Sequence, residues 1–216
     1  MHMTQIIERI EEVIQDTVQL VIVSKMRTLE EMEYYYNRGY RDFGENKVQE
    51  IVKKKDWHAD VRWHCIGRLQ TNKVKDVVKH CCLVHSLSRY ELMEAIEKEA
   101  CKQHKIMPCL LQFNIAEEET KTGFMLSEMQ EVYDTVQQYP HIHIKGIMCM
   151  GPHVEDPKQI QEVFQEAKKL FDTYKTMERE RFTMEHLSMG MSKDYEIAVQ
   201  EGSTMIRVGR ALFEEV

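Results

Sequence analysis

Apolar positions along the chain follow two alternating periods. Compact runs of aliphatic and β-branched residues are separated by longer stretches in which apolar residues recur every three or four positions, the spacing of strands and amphipathic helices respectively. Residues 3–16 place Ile6, Ile7, Ile10, Val13 and Ile14 on one helical face, and LVIVSK (20–25) is the first strand. A Glu-rich helix from Leu29 to Arg38 follows, with Gly39 as its C-terminal cap. DFGEN (42–46), WHCIG (63–67) and LVHS (83–86) read as the next three strands. Between and after them lie helices through Val48, Ile51 and Val52, through Val74, Val77 and Val78, and from Arg89 to His104. MPCLLQFNI (107–115) is the fifth strand; the helix after it, Ser127 to Gln138, opens with an S-x-x-Q capping box. IKGIMCM (144–150), HLSMG (186–190) and TMIRVG (204–209) complete the strands. Their helices are expected from Pro157 to about Arg181, from Tyr195 to Glu201 and in the tail ALFEEV.

Eight short strands, each followed by a helix, predict an α/β protein: a single (β/α)8 TIM barrel spanning residues 1–216. An open doubly wound sheet also alternates, but the SKMRTLE segment after the first strand lacks a Gly-rich phosphate fingerprint. The formal charge of -7 argues against a nucleic-acid-binding protein while leaving room for a local basic pocket. Charges interrupt every apolar run, and MHMTQIIERIEEVIQD lacks the apolar core of a signal peptide, so a cytoplasmic protein that does not enter membranes is expected. No apolar stripe is left over once the core is assigned, which favours a monomer. The six cysteines form no CxxC pair and read as buried, reduced thiols. Cys81-Cys82-x-x-His85 and His141-x-His143 are the nearest approach to metal-ligand spacing.

Chemistry in such a barrel sits at the carboxyl ends of the strands. Lys25 follows Val21 and Val23 at period two and is expected to share their inward face. At an apolar mouth its ammonium would be desolvated, favouring imine formation; a lysine simply reaching solvent is the plainer alternative. After strands seven and eight, SMGMS (188–192) and RVGR (207–210) offer hydroxyls and glycines of the kind that cradle phosphate, or merely close tight turns. Arg207 is out of step with Ile206 and Val208, so it faces the opposite side and needs an acceptor there; a pyridine nitrogen would serve. Glu45 reads as a helix cap, and Lys53-Lys54-Lys55 as a solvated helix face. An imine-forming lysine with a phosphate cup suggests a phosphorylated aldehyde, pyridoxal 5'-phosphate (PLP) above all.

LVIVSK, RDFGENKVQE, WHCIGRLQTNK, LLQFNIAEEETKTGF, KGIMCMGP, LSMGMSKDYEIAVQEGSTMIRVG and RALF occur in this order and cover nearly the whole chain. In these motifs the sequence resembles the pyridoxal 5'-phosphate homeostasis proteins. The resemblance implies the barrel of alanine racemase-type PLP proteins, with Lys25 carrying PLP as a Schiff base and Asn46 of the GEN motif beside it. It also implies that Ser188, the turn through Met191 to Ser192, Gly209 and Arg210 hold the phosphate, and that Arg207 faces the pyridine nitrogen. An unprotonated ring is a weak electron sink and suits storage of the cofactor. Arg210 stands where the family usually has Thr, and Arg68 where His is common in its IGxLQ motif.

The resemblance therefore implies a non-catalytic PLP-binding protein acting in vitamin B6 homeostasis, with PLP-dependent apoenzymes as potential recipients. A PLP-dependent amino-acid racemase or decarboxylase is the alternative. Such enzymes resemble this chain only in the barrel and add a β-rich domain with a second acid/base; with seven residues after Gly209, no such domain is expected here. A Schiff-base aldolase acting on a sugar phosphate is a third reading.

Overall fold

The computed structural model describes residues 3–118 and 121–213. Eight parallel strands close into a barrel in chain order: β1 (Gln19–Val23), β2 (Asp42–Glu45), β3 (Arg62–Cys65), β4 (Cys81–Leu87), β5 (Met107–Phe113), β6 (Ile142–Cys149), β7 (Phe182–Ser188) and β8 (Met205–Val208). Helix α1 (Met3–Ile14) precedes the barrel. The connecting helices are α2 (Leu29–Asn37), α3 (Val48–Lys54), α4 (Val74–His80), α5 (Tyr90–Lys102), α6 (Met129–Thr135), α7 (Pro157–Lys175) and α8 (Tyr195–Gln200), with α9 (Arg210–Phe213) after β8. Glu214 to Val216 of the expected tail lie outside the described residues.

Alternation along each strand divides the core in two. Outward residues such as Leu20, Ile22, Phe43, Ile147 and Ile206 pack beneath the helices. Inward residues Val21, Leu83, Leu110, Met148 and Met205 form a separate apolar cluster in the lumen. The lumen is not wholly apolar, however: Asp42, His64, His85, Ser188 and Arg207 are also buried and joined by hydrogen bonds.

Two helix boundaries differ from the sequence pattern. The expected Ser127 cap gives way to a 3-10 turn (Leu126–Glu128), because the Glu128 carboxylate accepts the Met125 N–H at 2.6 Å and starts the turn earlier. A second 3-10 turn (Val136–Gln138) then ends α6. Helix α7 stops at Lys175 rather than near Arg181, since Arg179 and Phe182 exchange backbone hydrogen bonds of 2.8 and 3.0 Å in a tight turn feeding β7.

Among the described residues no helix is long and apolar enough to cross a membrane. All six cysteines are free thiols, but only Cys65, Cys109 and Cys149 are buried as expected; Cys81 and Cys82 are half-buried at the start of β4, and Cys101 is exposed on the outer face of α5. The two His motifs are dispersed: His85 points into the lumen, His141 pairs with Glu97, and His143 meets the Thr183 hydroxyl.

Candidate functional site

A cavity of about 630 Å³ opens at the carboxyl ends of the strands. It gathers Lys25, Asn46, Met191, Ser192, Arg207, Gly209 and Arg210 from four separate parts of the sequence. Ser188, expected with them, does not line it. Its hydroxyl is fully buried, where it accepts from Arg207 Nη1 at 2.6 Å and meets His85 Nδ1 at 3.1 Å. Ser188 thus supports the cavity floor from below.

Lys25 lies two residues beyond β1, in a turn whose next residue, Met26, has φ of 61° and is 91% exposed. The side chain is exposed at the cavity rim, which corrects the expectation of a desolvated ammonium. What is buried is the residue before it. Ser24 Oγ donates to Glu45 Oε1 at 2.8 Å, and Lys54 Nζ donates to both Glu45 Oε1 (2.7 Å) and the Ser24 carbonyl (2.9 Å). The fully buried Glu45 therefore caps no helix, and Lys54 does not belong to a solvated face. Burial raises the Glu45 pKa above the usual carboxylate value, against the opposing pull of Lys54 and Ser24. Together these groups hold the backbone that presents Lys25.

Arg207 forms the floor. It points inward opposite Ile206 and Val208, is 4% exposed, and donates to Ser188 Oγ and to the Cys149 carbonyl at 3.1 Å. No carboxylate lies within ion-pair distance of it among the described residues. Burial lowers its pKa, partly offset by Cys149 and by the nearby Asp194. A guanidinium with donors to spare and no paired carboxylate is suited to an acceptor brought by a ligand.

The remaining wall comes from the loops after β2, β3, β5, β6, β7 and β8. Gly67 lets two loops touch, because a Cβ there would lie 2.3 Å from the Asn46 carbonyl oxygen. Ser192 Oγ accepts the Ala211 N–H at 3.2 Å, tying the loop after β7 to α9. At Gly209 a Cβ would meet both Val23 Cβ and the Val23 carbonyl at 3.0 Å, so a side chain there would crowd the end of β1. Arg210 is exposed at the rim. Cations at rim and floor, a hydroxyl and close backbone fit a small ligand carrying one phosphate and a ring acceptor; PLP has both.

Several lining residues escaped the sequence reading. Asp194 is buried, accepts the Met191 N–H at 2.6 Å, and has its pKa raised by burial. Gln112 donates to the Thr122 carbonyl at 2.6 Å, and Lys121, itself outside the lining, holds the carbonyl of the lining residue Gly151 at 2.7 Å. Gln112 was visible as an inward position two residues after Leu110. Lys121 and Asp194 carry no such periodic signal because they lie in loops.

A closed barrel with this cavity at its carboxyl mouth places the chain in the alanine racemase-type barrel class, and the family model "Alanine racemase, N-terminal domain" matches residues 2–215. A pyridoxal phosphate homeostasis protein of Aquifex aeolicus is 36% identical over 99% of this chain and 96% of its own length. One from Helicobacter pylori is 39% identical over 92% and 88%. The chain belongs to the pyridoxal phosphate homeostasis protein family. PipY of Synechococcus elongatus superposes without PLP at a TM-score of 0.91 and 29% identity, covering 98% of this chain and 100% of that one. Its PLP-bound structure gives 0.88. Alanine racemase of Clostridium difficile shares the fold (TM-score 0.82) at 12% identity, this chain matching 59% of it.

Proposed function

We propose that this protein binds PLP in the cavity and holds it in reserve as a homeostasis protein, without turning over a substrate. The observation that carries this reading is Arg207, a buried cation on the cavity floor without a paired carboxylate among the described residues, beneath a rim that bears Lys25. When bound, PLP supplies a reactive aldehyde, an electron-poor ring and a phosphate. Lys25 is the amine that takes the aldehyde; Met191, Ser192, Gly209 and Arg210 receive the phosphate, and Asn46 borders the ring. Arg207 offers the ring nitrogen a donor whose own proton stays in place, since a guanidinium keeps its charge near neutral pH. The ring is then a poor electron sink, which suits storage over carbanion chemistry. Ser188 acts only through Arg207. Residues 1–216 act as one such domain, a monomer that releases PLP to PLP-dependent apoenzymes.

The test is the visible spectrum after PLP is added and the excess removed, followed by borohydride reduction and peptide mapping. A band lost on reduction, with the pyridoxyl label on Lys25 and none in Lys25→Ala, is the expected result. No band, or label scattered over surface lysines, overturns it. Racemisation or decarboxylation of amino acids by the loaded protein would replace storage with catalysis.

A further inference from the structure

Behind Arg207 the lumen contains a continuous polar chain. Arg207 Nη1 meets Ser188 Oγ at 2.6 Å, Ser188 Oγ meets His85 Nδ1 at 3.1 Å, and His85 Nε2 meets His64 Nδ1 at 2.9 Å. His64 Nε2 meets Asp42 Oδ1 at 2.9 Å, and Asp42 takes a two-pronged bond from Arg62 at 2.7 and 2.5 Å. Every member except Arg62 is buried. Asp42 and Arg62 begin β2 and β3, so the chain runs from the amino-terminal mouth to the cavity floor near the other.

We propose that Asp42, His64, His85 and Ser188 form a tether whose hydrogen-bond polarity, set by the charge at the amino-terminal mouth, positions Arg207 and tunes its donor strength toward the cavity. The tether is a feature of the protein alone; that it acts on the ring of PLP rests on the function proposed above. Its logic follows from counting protons. With His64 neutral, all bonds run one way: Arg207 donates to Ser188, Ser188 to His85, His85 to His64, and His64 to Asp42. With His64 charged, both its nitrogens donate. The His85 proton then sits on Nδ1, and Ser188 Oγ must accept from His85 and Arg207 together. A hydroxyl that donates onward is the stronger acceptor, so one proton at His64 changes how firmly Arg207 is held.

The charged groups around the chain favour the second state. Burial opposes charge on His64, but its bond to Asp42 and the neighbouring Cys82 outweigh burial and raise its pKa to about 9. Burial, with His64, Arg207 and His186 nearby, pushes the His85 pKa well down. His186 from β7 is itself lowered by burial, and Asp194 faces Arg207 from beyond β7.

The test uses nitrogen-15 spectra of the imidazole and guanidinium groups in the ligand-free protein, assigned with His64→Gln and His85→Gln. At neutral pH, His64 is expected to be doubly protonated and His85 neutral with its proton on Nδ1. Asp42→Asn should discharge His64, move the His85 proton to Nε2 and shift the Arg207 signals. Arg62→Gln, at an exposed position, should leave that neutral-pH pattern intact but raise the His64 midpoint by about half a unit or more. In the PLP-loaded protein, Asp42→Asn should displace the pH midpoint of the cofactor band while the label stays on Lys25. Imidazoles unchanged in Asp42→Asn, or changed with the Arg207 signals and the band unmoved, overturn the proposal. If Asp42→Asn does not fold, an unmoved His64 midpoint in Arg62→Gln, or Arg207 signals unmoved in His64→Gln, does so instead. If no variant takes up PLP, the proposed function fails and the ligand-free spectra still decide the tether.

Discussion

Lys54 Nζ stands 2.7 Å from Glu45 Oε1 in the wall between α3 and the first two strands, where the two side chains are 7% and 0% exposed. Among the described residues the second carboxylate oxygen of Glu45 has no hydrogen-bond partner. Lys54→Met leaves that buried carboxylate with the Ser24 hydroxyl and no cation, so a loss of about 3–5 kcal/mol in urea unfolding is expected, the usual cost of breaking a buried pair from one side. The double variant Lys54→Met/Glu45→Gln should recover part of it. A single variant as stable as the parent would mean that Glu45 is already neutral.

His64 makes stability depend on pH in a definite direction. Its folded pKa of about 9 exceeds the unfolded value of about 6.5. Its stabilising contribution is therefore complete below the unfolded value and is lost as pH rises through 9. His85, shifted downward, has the opposite dependence, so the comparison must be made against His64→Gln. The stability difference between parent and variant should shrink between pH 6 and pH 9.5 by an amount on the order of 3 kcal/mol. Parallel profiles from chemical denaturation would contradict this.

Gly67 and Gly39 make a matched pair of tests. A Cβ at Gly67 runs into Asn46 backbone at 2.3 Å, whereas nothing lies within 4 Å of one at Gly39, whose φ is +97°. Gly67→Ala should destabilise by about 1–3 kcal/mol through forced backbone movement and weaken PLP uptake about tenfold. Gly39→Ala should cost about 1 kcal/mol of left-handed strain and leave uptake unchanged. Equal effects on uptake would detach Asn46 from the site.

Arg210 tests how the phosphate is held. Exposed at the rim, its charge is screened, so Arg210→Thr should weaken PLP uptake only a few-fold and flatten its dependence on salt. Titration at low and high ionic strength checks this. A loss of a hundredfold or more, insensitive to salt, would instead make Arg210 a direct, desolvated ligand.

The closed eight-stranded barrel was legible because its strands and helices carry opposite periodicities, and Arg207 because alternation with Ile206 and Val208 fixes its face. The same alternation places His64 between outward Trp63 and Cys65, and His85 two positions after inward Leu83. The lumen's polar chain was therefore within reach of that rule. What periodicity does not reveal is who partners whom. Lys54 reads as one of three adjacent lysines until α3 folds against β2 and brings it to Glu45. Ser188 was expected to hold the phosphate, but a hydroxyl on the wall and one beneath the floor have the same pattern; only its contact with Arg207 distinguishes them. Lys25 was expected to continue β1, whereas the strand ends at Val23 and the turn carries the lysine out to the rim.

The grip of Lys54 on the Ser24 carbonyl gives α3 a role in the protein's fluctuations. Helix α3 cannot swing away from the wall without freeing the peptide that leads into Lys25. Any ligand that fixes Lys25 adds its binding free energy to the cost of that opening. Slow exchange of the α3 amides with deuterium thus becomes a remote gauge of occupancy, read from the outer face of the barrel rather than from the chromophore within it.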